Sequence, residues 1–93
     1  MQKRALLMDE KDNVAVVLDH VNSGDIVSIS LTGESYKEII AVDDIDLYHK
    51  IAVKEIKKEE EIYKYSEIIG KATEDISLGK HVHINNIESV MVL

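Results

Sequence analysis

The chain has 93 residues, with eleven Lys and Arg against eighteen Asp and Glu, a formal net charge of -7, and neither Cys, Pro, Trp nor Phe. This length suits one small domain, read here as residues 1–93, with a single modest core. The negative charge argues against a nucleic-acid backbone or an anionic membrane as partner. The lack of cysteine excludes disulfides and thiolate metal sites. No run is long enough for a signal-peptide core or a membrane span, so the expected compartment is the cytoplasm.

Ile and Val number 23 against 7 Leu, a balance that favours pleated sheet over helix. In chain order the apolar runs are Ala5 to Met8, Val14 to Leu18, Ile26 to Leu31, Tyr36 to Val42, His49 to Val53, Ile62 to Tyr65, Ile68 to Ala72, His81 to Ile84, and Val90 to Leu93. Most have strand length. Asn22-Ser23-Gly24-Asp25, Thr32-Gly33-Glu34-Ser35, Asp43-Asp44 and Ser77-Leu78-Gly79-Lys80 separate them with turn-forming residues. The expectation is a mostly β domain of short strands and tight connections.

Three connections share a pattern. Segments beginning at Val17, Ala52 and Ala72 place Val21, Ile56 and Ile76 fifth and Gly24, Glu59 and Gly79 eighth. Acidic residues before the aliphatic position and a glycine after it predict a single helical turn ended by a left-handed residue. Glu59 departs from glycine at a place where a side chain costs about 1 kcal/mol or more. Lys54 to Glu61 could also form a short helix with Lys57 and Glu61 paired, although a solvated charged face is the commoner meaning of such a run.

No glycine-rich phosphate loop, His-Glu-x-x-His or Ser-His-Asp signature is present. Histidine placement is what remains. His81 and His83, one residue apart in a strand-like run, should share a face, where two imidazoles can hold a divalent metal or, protonated, a carboxylate. A pair of surface histidines is the plainer meaning of that spacing. His49 beside Lys50 suggests a base whose proton affinity is lowered by the neighbouring cation, although an ordinary exposed pair is the commoner meaning of such neighbours. His20 beside Asp19 reads as a solvated turn residue, and Asp12-Asn13 as a turn entering a strand.

Four segments occur in the order of one known module: Asp12-Asn13-Val14-Ala15-Val16, His49-Lys50-Ile51-Ala52-Val53, Lys64-Tyr65 with Ile69-Gly70-Lys71-Ala72, and Gly79-Lys80-His81-Val82-His83 closing at Asn86. Together they resemble the SAF domain of altronate dehydratase and its relatives, which include galactarate dehydratase and the small subunit of sulfolactate sulfo-lyase. The resemblance implies a β-clip fold. It also implies a lyase that removes water or sulfite from a sugar acid or related hydroxy-acid, with a divalent metal such as iron(II) or manganese and a large catalytic subunit as partner; a homo-oligomer is left open.

On this resemblance His49 and Lys50 are the candidate catalytic groups and Asp12, Asn13 and Lys50 the substrate-binding ones. His81, His83 and Asp9 are the candidate metal ligands. Asp9 and Asn85 stand where relatives often carry histidine, and Asp9 retains an oxygen ligand for a hard cation. Tyr48, Glu59 and Ser66 stand where glycine is typical, which leaves the local backbone open. The rival reading is a non-catalytic ligand-binding or assembly module, because fold resemblance alone does not determine function.

Overall fold

In a computed structural model, which describes residues 2–89, the described residues form nine strands and no helix. In order they are β1 Lys3–Leu7, β2 Val14–Val17, β3 Ile26–Leu31, β4 Glu34–Ile40, β5 Lys50–Ala52, β6 Glu61–Lys64, β7 Glu67–Ala72, β8 His81–Val82 and β9 Ile87–Ser89. The mostly β expectation therefore holds. The run Val90 to Leu93 lies outside the described residues, and β9 forms in a segment with no apolar run of its own.

Six strands form one sheet in the order β4-β3-β1-β2-β5-β8, and β6-β7-β9 form a second. β1 is parallel to β3 and antiparallel to β2. β2 and β5 pair antiparallel, Val14 opposite Ala52 and Val16 opposite Lys50. Ala15, Val17, Ile51 and Val53 join one core cluster with Leu7, Val27, Ile29 and Ile45. Val14 and Ala52 join another with Ile56, Ile62, Ala72, Ile76 and Val82. Successive strand residues point to opposite faces, so β2 and β5 are buried on both sides. That double burial accounts for their nearly unbroken apolar sequence.

The connections repeat four times rather than three. The missed copy runs from Ala41 to His49, with Ile45 fifth and Tyr48 eighth. The copies work in pairs. Val21 and Ile45 exchange backbone hydrogen bonds of 2.9 and 2.8 Å, and Ile56 and Ile76 exchange bonds of 2.9 and 2.7 Å. The Gly24 amide donates to the Ala41 carbonyl as the Glu59 amide donates to that of Ala72, and the Tyr48 amide donates to Val17 as the Gly79 amide donates to Ala52. The domain is thus an internal duplication, each half one hairpin (β3–β4 or β6–β7) flanked by two junctions.

The helical turn expected in each junction does not form. Each junction is a two-residue turn following an isolated β-bridge, because the aliphatic residue's amide and carbonyl are taken by its counterpart in the paired copy. The same holds for Lys54 to Glu61, where Ile56 is bridged to Ile76 instead of starting a helix. The left-handed eighth residue is present in all four copies: φ is 93° at Gly24, 68° at Tyr48, 77° at Glu59 and 89° at Gly79. Ser66, the third residue standing in for glycine, also has positive φ, 66°. The backbone path of the glycines therefore survives their replacement.

Candidate functional site

The pairing of β5 with β8 assembles the site. Lys50 lies opposite Val82 and Ile51 opposite His81, so the chain positions just outside the pairing, His49 and His83, come level at the outer edge of the larger sheet. The three imidazoles meet there: ring centres are 5.2 Å apart for His49 and His81, 4.7 Å for His49 and His83, and 5.2 Å for His81 and His83. His49 Nδ1 lies 3.0 Å from His81 Nε2, a hydrogen bond in which one ring must donate and the other accept. All three side chains are half-buried.

Asn86 fixes the histidine segment. It is buried; its Nδ2 donates to the His81 carbonyl at 2.8 Å, its Oδ1 accepts from the His83 amide at 2.9 Å, and its own amide donates to the His83 carbonyl at 3.0 Å. Asp43 accepts from the His81 amide at 3.0 Å and sits 3.6 Å from the Lys80 ammonium. Burial first, then the neighbouring His49 and His83, holds the His81 imidazole below its ordinary proton affinity, against an opposing pull from Asp43 and Asp46. A ring in this position is readily kept neutral and able to accept a proton. His20 is exposed and faces Asp46 at 3.6 Å, as a solvated turn residue would.

Other expected site residues lie elsewhere. Lys50 is opposite Val16 and Val82 in the sheet, on the face away from Ile51 and His81. Its ammonium is held below the usual lysine range by burial and, second, by Lys64. Sequence adjacency to His49 therefore does not make the two act on one face. Asp12 is buried, and its carboxylate accepts from the Tyr65 amide at 2.8 Å and the Ser66 amide at 2.7 Å. Asn13 accepts from the Tyr63 amide at 2.8 Å and donates to the Glu61 carbonyl at 2.9 Å. The Asp-Asn pair thus clamps the β6–β7 hairpin from the far end of β5, where Val53 donates to the Asn13 carbonyl.

Asp9 accepts from the Lys11 amide at 2.8 Å within the β1–β2 turn. Among the described residues no three His, Asp or Glu side chains are disposed to hold a metal ion. A broad open hollow lies away from the histidines, lined by Lys11, Asn13, Lys54, Glu61 and Tyr63 among others. One ion pair, Lys71 with Glu59 at 3.1 Å, lies on its wall, and it presents no comparable cluster of titratable rings.

Residues 3–90 match the model of the altronate/galactarate dehydratase SAF domain. The chain belongs to that family. It is 35% identical over 88 residues to altronate dehydratase of Bacillus subtilis, a match covering 94% of this chain and 16% of that enzyme. It is 39% identical over 51 residues to the (2R)-sulfolactate sulfo-lyase subunit alpha of Paracoccus pantotrophus, covering 55% of this chain and 76% of the relative. With the corresponding subunit of Chromohalobacter salexigens it shares 36% identity over 47 residues, half of each chain. This SAF domain therefore corresponds to a small part of the altronate dehydratases it matches and to a larger share of separate sulfo-lyase subunits.

Proposed function

We propose that this SAF domain serves as the small part of a lyase that eliminates water or sulfite from a sugar acid or related hydroxy-acid, working with a large catalytic polypeptide. The observation that carries this reading is the meeting of His49, His81 and His83, brought from separate segments to one half-buried spot in a domain whose relatives are named dehydratase and sulfo-lyase subunit.

Elimination removes a proton from the carbon beside a carboxylate and expels the neighbouring hydroxyl, which leaves as water once protonated, or expels sulfite. Proton transfer by a positioned imidazole suits both ends of this reaction. The His49–His81 pair holds one proton between two nitrogens, so it can accept a proton at one ring and release one from the other without leaving its place. His83, packed against His49, fixes the ring. Among the described residues no three His, Asp or Glu side chains are disposed to hold an ion, and we therefore assign the divalent ion of such a lyase, iron(II) or manganese, to the large polypeptide rather than to His81, His83 and Asp9. Bound there, the ion would take up negative charge developing in the carbanion-like state.

The test is reconstitution with an altronate dehydratase-type large chain and an activity screen over sugar acids and sulfolactate. The isolated domain should be inactive, and His49→Ala should lower turnover by tenfold or more, within the range typical of a general acid or base, with assembly intact. Full turnover after replacement of all three histidines would leave the domain an assembly module.

A further inference from the structure

The histidine cluster has a rim that nothing covers among the described residues. Tyr48, immediately before His49, is 68% exposed, and Ile84, immediately after His83, is 78% exposed. Val42 and Leu78 are exposed beside His81: the Val42 amide donates to the Gly79 carbonyl at 3.0 Å, and Asp43 holds the His81 amide. Leu47 is exposed next to Tyr48. Single exposed apolar residues are ordinary, but these five of the eleven exposed large apolar residues described flank the segments that carry the three histidines, a concentration of the kind an interaction surface presents.

Tyr48 sharpens the point. It occupies the left-handed position, φ 68°, held by glycine in two of the other three junctions and by a charged residue in the third. A bulky side chain at positive φ is costly, and local contacts do not compensate for it here because the ring stands in solvent.

Charge identifies what the surface lacks. The acidic groups acting on His81 are Asp43 and Asp46. Lys80 is taken up by Asp43 at 3.6 Å, and Lys50 lies on the opposite face of the sheet. Because Lys80 and Asp43 offset one another, a hydroxy-acid anion at these histidines meets no unpaired lysine, and the cation that holds its carboxylate comes from outside. The matched part of the Bacillus subtilis altronate dehydratase is 16% of that enzyme, which leaves a large polypeptide to supply it.

We infer that the rim formed by Val42, Leu47, Tyr48, Leu78 and Ile84 is the docking surface for the large catalytic polypeptide, which closes over the three histidines and brings the cationic groups for the substrate carboxylate. This rests on the function proposed above.

The test uses the complex of the domain with the altronate dehydratase-type large chain of its own genome, with affinity measured by titration. Tyr48→Gly relieves the strained backbone, so it should raise the unfolding midpoint of the free domain while weakening the complex at least tenfold. Ile84→Asp should weaken it similarly without loss of fold, and Ile68→Asp, on β7 of the smaller sheet, should leave it unchanged. If the complex forms but responds to Ile68→Asp and not to Tyr48→Gly or Ile84→Asp, the docking face is wrong and the proposed function stands. Absence of any complex overturns the proposed function itself. A self-association of the domain alone that Tyr48→Gly abolishes would assign the rim to a second copy and overturn the inference.

Discussion

Thirty-two residues separate His49 from His81, yet their Nδ1 and Nε2 atoms lie 3.0 Å apart at the edge of the larger sheet. The contact has a consequence for stability. Burial, His49 and His83 hold His81 below its ordinary proton affinity, with Asp43 and Asp46 opposing. As pH falls below about 6.5, the ordinary histidine value, the unfolded chain takes up a proton that the folded site resists. Stability present above that pH is then lost towards the lowered value of His81. Urea midpoints measured between pH 7.5 and 5 should fall, and His81→Gln should flatten the decline. Parallel curves for the two proteins would contradict this account.

Asp12 provides a test in which stability is expected to change without the histidines. Its two oxygens accept the amides of Tyr65 and Ser66, whose φ values of 55° and 66° make the tight β6–β7 turn. Asp12→Ala leaves both amides without this acceptor, and a lost partner of this kind costs about 1–3 kcal/mol. The expected outcome is a lower denaturation midpoint with the imidazole resonances of His49, His81 and His83 unmoved.

Glu59→Gly should stabilise the domain. The left-handed backbone at residue 59, φ 77°, penalises a side chain by about 1 kcal/mol. What is lost is one exposed pair with Lys71, worth about 0–1 kcal/mol. The equivalent glycines differ in the opposite experiment. A Cβ at Gly24 meets open space, whereas one at Gly79 collides with the Ile40 carbonyl oxygen. Thermal unfolding should therefore rank Gly79→Ala well below Gly24→Ala, and both below wild type.

Strand content was legible because β-branched residues dominate, and three of four junctions were legible from the aliphatic residue and the glycine or its substitute. The fourth went unread because Tyr48 by itself gives no sign of a left-handed backbone, although it stands where relatives carry glycine; the further signal was Ala41 and Ile45 at the first and fifth positions. Likewise, the spacing of His81 and His83 revealed a shared face. Their meeting with His49 depends on β5 pairing with β8, a long-range choice made by the two cores. The link between Asp12 and the hairpin tip, across more than fifty residues, is of the same kind. Lys50 shows the limit of adjacency, because neighbours in a strand point to opposite faces and it stands across the sheet from His81.

The two cores consist of aliphatic side chains and include none of the candidate metal ligands, so the sheets are expected to form without an ion. A chelator should leave the β-type circular dichroism spectrum and the unfolding midpoint of the isolated domain unchanged, unlike a small domain whose core is organised by metal. Loss of the spectrum on chelation would show that the histidine edge is held by an ion.

Asn86 separates positioning from bulk stability. β8 is two residues long and lies at the outer edge of its sheet, so pairing on one side alone holds it loosely. The buried Asn86 side chain grips it at both ends, donating to the His81 carbonyl and accepting from the His83 amide. Asn86→Ala removes both bonds, which should lower stability by about 1–3 kcal/mol and let the strand move outward. His81 then becomes better hydrated, and burial is the main cause of its lowered proton affinity, so its titration followed by NMR should move up towards the ordinary value near 6.5. Asp12→Ala, which frees the β6–β7 turn amides and touches neither Asn86 nor β8, is the control: it should destabilise the fold while leaving His81's titration in place. An Asn86→Ala protein with an unshifted His81 would mean that the β5–β8 pairing holds the cluster unaided.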